Sequence, residues 1–428
     1  MKHTESLAAA TGRLIHSDDS SATVEEVQGL YGPFTFPELL LQRLWAEQTF
    51  QVERLQSHSG ETVKVSYPGR WNRLAGPDFR DARVTIDGVS KRGDIEVHLR
   101  ETDWHAHGHS DNPAYANVIL HVVLFPCERE VTATGGMGEI PIVSLLPLLW
   151  HDLEEYAADD AIATMAARPS ERLLGEWMWL PVTEARERLQ EMSRRRWESK
   201  VRYARLRIEK LGWAEACHHT ALEILGYRFN RSGMLRIATR YPLAAWRAGA
   251  MDCDAVFEAE RETGGWALQG VRPANHPLVR LRAYRGWIGA VGDWPERLRR
   301  EGLDWPNWDA TELTESAMEW RRRVGFKARW MGVMRAIGAL DCVPRPRADN
   351  LWGDGLLPLL AGAGHLREEQ AFDWWRRAWP GDQPDSVKKT LRSLGVASGQ
   401  THPLTWGDVQ GLLWWRWDQA RQATLGRT

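Results

Sequence analysis

Cysteine is scarce. The 428-residue chain has four, Cys127, Cys217, Cys253 and Cys342, far apart and without a C-x-x-C pair. That excludes a disulfide framework and a thiolate zinc knuckle, and reads as reduced core thiols in a cytoplasmic protein. Long apolar runs are also missing. No stretch approaches the roughly 20 residues that a membrane-spanning helix needs, so no membrane contact is expected. The first residues, MKHTESLAAATGRLI, lack a sustained apolar core after their charges and do not read as a secretory leader. Neither sign of charge is in excess, with 55 Lys and Arg against 57 Asp and Glu. A binder that holds nucleic acid by overall charge is disfavoured, which leaves local patches. No repeat of fixed period is present.

Apolar residues, in contrast, make up 43% of the chain, and there are 24 tryptophans. The length allows two or three domains with sizeable cores, and core filling in a helical domain is the plain use for so many indoles. Residues 1–28 are small and polar and read as a mobile tail. Thr35-Phe36-Pro37-Glu38 has the pattern of a capping box and opens a helix over 35–50. Leu40, Leu41, Leu44 and Trp45 form its apolar stripe, and Glu47 falls on the same stripe as a carboxylate aimed into a site or out at its edge. Short strands are predicted at Val63–Val65, Ala82–Ile86, Asp94–Arg100 and Val118–Phe125, with a turn at Asp87-Gly88.

From about Pro147 the pattern is helical. Trp197, Val201, Ala204, Ile208 and Leu211 recur at helical steps. Across 184–210 there are ten Lys and Arg against five Glu, a net of +5. That basic helix is the candidate nucleic-acid surface, and its plain alternative is a solvated face. Gly226 reads as a helix stop. Arg272 and Asn275 lie in a loop bracketed by prolines, where they are candidates for holding substrate. The fold class expected is an α/β domain over 29–150, a mixed sheet with flanking helices, followed by a larger all-α domain over 151–428.

The residues able to do chemistry are concentrated between Gly76 and Phe125. Along Asp94–Arg100, Ile95, Val97 and Leu99 share one face, while Asp94, Glu96, His98 and Arg100 share the other. A solvent-facing strand alternates in the same way. Downstream, His105, His107 and His109 form an H-x-H-x-H run, dense in ligands for a transition metal. His107 and His109 are the better metal candidates, and His121, inside an apolar strand, reads as a core histidine.

The segments GPDF, GDIEVHLRETDWHAHGH and PAYANVILHVV resemble a bacterial domain-of-unknown-function family, number 2851. GYRFNR (226–231), RYPLAAW (240–246) and RPANHPLVRL (272–281) extend the resemblance over most of the chain, but it brings no settled activity. Asp78 with Glu96 and His98 also resembles the PD-(D/E)XK nuclease superfamily, whose core runs helix, three strands, helix, strand. That resemblance implies Asp78 and Glu96 as ligands of Mg²⁺ or Mn²⁺ and Glu47 as the helix carboxylate. His98 would stand where the superfamily has lysine, with Lys64 or Lys91 as a displaced cation, and Arg100 would face substrate. The expected function is metal-dependent hydrolysis of phosphodiester bonds in nucleic acid, with no organic cofactor. The alternatives are a non-catalytic interaction protein with a degenerate site, and a small-substrate metal hydrolase built on His105–His109.

Overall fold

The computed structural model of the chain describes residues 38–72, 76–134, 138–150, 177, 179–249, 251–262, 266, 268, 271, 273–305, 316–383, 385–399 and 402–425. The predicted tail over 1–28, the capping residues 35–37 and Arg272 lie outside the described residues. The chain forms two compact units, Met1–Leu149 and Trp150–Thr428.

The first unit is built on a seven-stranded mixed sheet. Helix α1 (Glu38–Glu47) is followed by β1 (Val63–Tyr67), β2 (Arg70–Trp71), β3 (Phe79–Ile86) and β4 (Val89–His98). A connection containing the one-turn α2 (Asp103–Ala106) leads to β5 (Val118–Val123), and β6 (Val131–Thr134) and β7 (Gly138–Ser144) close the unit. The strand order is β1-β3-β4-β5-β7-β6, with β2 paired to β3. β1, β3 and β4 are antiparallel neighbours, whereas β5 runs parallel to β4 and to β7. The β3–β4 hairpin turns at Asp87-Gly88, both with positive φ (46° and 83°), the turn that this dipeptide favours.

Two features position the polar residues. β3 carries an irregularity between Phe79 and Ala82, directly after Asp78, and β4 shifts register against β5 between Asp94 and Ile95. Such bulges re-aim side chains beside them. Gly93 lets β5 come close, because a Cβ there would stand 2.6 Å from the Asn117 carbonyl oxygen and 2.5 Å from Ile119. The Ile95–Val97 face of β4 is fully buried, but Glu96 and His98 are buried as well. At Glu96 and His98 the polar face is thus an interior one, with Asp94 half-buried and Arg100 exposed, so the solvated-strand alternative does not hold for the two residues of interest. α1 packs on β4 with Leu40, Leu41, Leu44 and Trp45 buried, as its periodicity predicts.

The second unit is helical. Its longest element, α3 (Val182–Leu225), is interrupted at Gly212, whose φ of 75° and ψ of 164° are non-helical. Arg207 lies 2.8 Å from both Thr220 Oγ1 and Glu223 Oε2. In a straight helix those residues would be separated by about 20 Å or more. α3 is therefore two arms folded back at Gly212. α4 (Tyr227–Arg240) follows directly after Gly226. Most of the tryptophans do what composition suggests: Trp197, Trp287, Trp352, Trp374 and Trp375 are buried in one core with Leu, Ile and Phe.

Candidate functional site

The carboxylates meet through a reciprocal pair of hydrogen bonds. The Asp78 backbone N–H donates to Glu96 Oε2 (3.0 Å), and the Val97 N–H donates to Asp78 Oδ2 (3.1 Å). The other Asp78 oxygen accepts from Gln42 Nε2 at 2.6 Å, and Trp71 Nε1 donates to Gln42 Oε1 at 3.2 Å. α1 thereby steers an acid on the edge of β3 toward β4. α1 also supplies an acid of its own. Burial pushes the Glu38 carboxyl up to about 8, with further upward push from Asp78, Glu96 and Asp103. Asp78 is raised well above the carboxylate range by burial and then by Glu96, against the hydrogen bonds from Val97 and Gln42. Glu96 is raised by burial. Among the described residues no Lys or Arg pairs with Glu38, Asp78 or Glu96.

Glu96 also touches the histidines. Its Oε1 lies 3.2 Å from His109 Nε2 and 3.5 Å from His98 Nε2. His107 Nδ1 is 3.2 Å from His98 Nε2. Behind them, His98 Nδ1 meets His121 Nε2 at 2.9 Å, and His121 Nδ1 meets Thr132 Oγ1 at 2.7 Å. The His109 ring stacks on Tyr115 at 3.8 Å between centroids. Burial pushes His98 down to about 2, helped by His121, His109 and His107, and pushes His121 down to about 3, helped by His109, His105 and His58. Burial lowers His109 too. At neutral pH these rings are uncharged, so their contacts with Glu96 are not salt bridges.

This donor set fits a divalent ion. His98, His107 and His109 each offer one ligand atom, and the three atoms lie within 4.8 Å of one another. His109 is 8% exposed, and its Nδ1 has no hydrogen-bond partner. Such an unpartnered buried nitrogen is costly unless something binds it. Neutral imidazole nitrogens beside a carboxylate suit Mn²⁺, Fe²⁺ or Zn²⁺ more closely than Mg²⁺.

The structure gathers Asp78, Glu96, His98, His107 and His109, and leaves other candidates apart. Glu47 is exposed at the end of α1. The acid of α1 on the Asp78 side is the half-buried Glu38, which shares a face with Leu41, with Trp45 and with Gln42, the residue that bonds Asp78, at steps of three and four. That spacing is the overlooked signal. Arg100 lies past the end of β4, exposed, with its guanidinium over Phe125 at 5.2 Å. Lys64 and Lys91 are exposed, and Lys91 precedes Glu96 by five strand residues, roughly 16 Å. His105 is exposed and bonds Ser110. His121 is indeed buried in β5, but it bonds His98 and Thr132, so it supports the cluster from behind.

In the helical unit, Asn275 accepts from Arg280. Six of the ten basic residues across 184–210, Arg188, Arg194, Arg195, Lys200, Arg205 and Arg207, lie against a carboxylate of their own unit. His218 is a core tie: its Nε2–H donates to the Tyr241 carbonyl, so its Nδ1 accepts from the Tyr284 hydroxyl.

A family model described as a protein of unknown function (DUF2851) matches residues 38–259, just over half of the chain. No curated protein and no solved structure matches it. Among the described residues no helix is long and apolar enough to cross a membrane.

Proposed function

The chain belongs to the DUF2851 family of proteins of unknown function, and we propose that its first unit is a divalent-metal-dependent phosphodiesterase acting on nucleic acid. One observation carries the reading. Asp78, half-buried at a strand entry, and Glu96, buried on a strand, are tied to each other, and the half-buried Glu38 on α1 is near enough for both to push its carboxyl up, with no described Lys or Arg against the three. Gathering like charges away from water is unfavourable, and a bound cation reverses the sign of that term. With the two-residue β2 set aside, the order helix, three antiparallel strands, one-turn helix and parallel strand supports the same reading.

Asp78 and Glu96 would hold the ion, with Glu38 beside them and His98, His107 and His109 as nitrogen donors. When bound, such an ion supplies neutralisation of phosphodiester charge and activation of water. The chain's own residues set the protons. If His121 Nδ1–H donates to Thr132, then His121 Nε2 accepts from His98 Nδ1–H, and His98 Nε2 keeps a lone pair facing Glu96. The opposite setting puts a proton on His98 Nε2 instead. Burial resists a full positive charge on His98 in either setting. It therefore holds or orients as a neutral ring, where a lysine would supply a fixed charge.

A second reading, a metal hydrolase of small substrates, is favoured by the histidine grouping itself, with His98 in the place expected for His105. The deciding experiment strips full-length protein with chelator and reloads it with Mn²⁺ or Mg²⁺. It is then offered single-stranded, double-stranded and branched DNA beside a small phosphodiester. Asp78→Asn and Glu96→Gln should lower cleavage by at least about 100-fold, the upper end of what even outer partners of a metal site cost. Turnover of the small ester alone favours the second reading. Parent protein that neither binds metal nor cleaves anything offered would make it a non-catalytic interaction protein.

A further inference from the structure

The helical unit contains a second concentration of charge, from Arg231 in the segment GYRFNR, Arg280 in RPANHPLVRL, and Arg347 beyond both. Arg280, on α5 (Pro277–Ala290), and Arg347, on α6 (Arg345–Asn350), are each only 4% exposed. Arg280 Nη2 donates to Asn275 Oδ1 at 2.7 Å, and Arg347 Nη2 lies 3.2 Å from Asp382 Oδ2. The Arg347 guanidinium sits over the Tyr227 ring at 4.1 Å. In both arginines the Nε–H is buried and has no acceptor. Burial lowers both guanidiniums, Arg347 to about 10, and Arg280 and Arg231 are close enough to Arg347 to lower it further. Asp382 is the one carboxylate set against the two, among the described residues, and its backbone N–H is anchored on Asn350 Oδ1.

Two buried guanidiniums against one carboxylate leave a positive excess, and each keeps a buried Nε–H without an acceptor. Buried charge of this kind persists when something else completes the set. A phosphate monoester or phosphate itself meets both needs, because it accepts from two separate guanidiniums and carries more than one negative charge. We propose that Arg280 and Arg347, with Arg231 beside them, form a binding site for a phosphate group. The inference stands independently of the metal-site reading, and its test uses no enzymatic activity.

The test titrates full-length protein with inorganic phosphate, a nucleoside 5′-monophosphate, and an oligonucleotide with either a 5′-phosphate or a 5′-hydroxyl. Binding is read by calorimetry and by thermal melting. Phosphate should bind and raise the melting temperature. Arg280→Met should weaken that binding about tenfold or more, the range for a charge-assisted hydrogen bond, without lowering the melting temperature measured in phosphate-free buffer. Asp382→Asn should tighten it, because the resident carboxylate competes for the same donors. Preference for the nucleotide, or for the 5′-phosphorylated strand over its hydroxyl counterpart, identifies the source of the phosphate. The proposal is overturned if neither the parent nor Asp382→Asn binds phosphate. It is equally overturned if Arg280→Met folds and binds phosphate as the parent does. If Arg280→Met fails to fold, the Asp382→Asn comparison decides: unchanged or weaker phosphate binding overturns the site.

Discussion

Glu96 directs one oxygen at the Asp78 backbone and the other at two histidines, so a change in its charge is felt by both groups. Glu38, Asp78 and Glu96 hold their protons more tightly folded than unfolded. Their contribution to stability is therefore fully present below the ordinary carboxylate range, near 4, and is lost as pH rises through the raised values, about 8 for Glu38. The buried histidines act with the opposite sign, because His98 and His121 stay neutral folded while the unfolded chain binds protons below about 6.5. A difference measurement separates the two. Glu38→Gln should raise the melting temperature of chelator-treated protein at pH 8, by about 2 °C, and leave it unchanged at pH 4.5. Equal melting at both pH values would show that Glu38 carries no buried charge. Mn²⁺ should stabilise the parent more at pH 8 than at pH 5, on the order of 5 °C at a hundredfold excess over Kd. Thr132→Val, which removes the hydroxyl behind His121, should weaken Mn²⁺ binding about tenfold if that chain of rings sets the His98 tautomer. Unchanged Mn²⁺ affinity would make Thr132 a packing residue only. At this scale the sequence was legible for Asp78, Glu96 and His98, whose strand positions are local. It was misleading for α1, where Glu38 has a plausible local duty as a capping residue that hides its tertiary one.

β4 and β5 can be neighbours only because Gly93 has no side chain. Gly93→Ala would drive a methyl into the Asn117 carbonyl and Ile119, at a cost of about 1–3 kcal/mol as overpacking. Denaturant melts should show that loss, and Mn²⁺ binding should weaken with it, since the register of Glu96 depends on the same pairing. A neutral substitution would mean that β5 simply shifts. The predicted strands at 63–65, 82–86, 94–100 and 118–125 all lie in one sheet, because alternation and apolar runs are strong short-range signals. Two limits were physical. The bulge after Asp78 lets β3 begin earlier than its alternation suggests, and β4 stops at His98, so Arg100 leaves the face it would occupy on an ideal strand. β6, which carries Thr132, is four residues long and offers too few positions for a period to emerge.

Only Trp45, Trp71 and Trp104 of the 24 tryptophans belong to the first unit, so indole fluorescence reports chiefly on the helical one. Mn²⁺ should therefore leave the fluorescence-detected transition nearly unmoved while phosphate shifts it. A transition that moves equally with both ligands would place the two effects in one cooperative unit. The division into sheet-based and helical parts was readable from the change in hydrophobic period near Pro147, whereas the reversal inside α3 was not. Its two arms carry one continuous helical pattern, and a lone glycine is weak punctuation. Yet that glycine decides how many molecules complete the fold. Gly212 adopts a backbone region that is essentially closed to other residues, and no atom lies near where its Cβ would be. Gly212→Ala would therefore act through the backbone alone, favouring one straight rod of about 66 Å. The second arm would then carry Thr220 and Glu223 away from Arg207, which now lies 2.8 Å from both. A second chain opened in the same way could supply them. The expected result is a concentration-dependent dimer of exchanged arms on size-exclusion chromatography, with helix content unchanged.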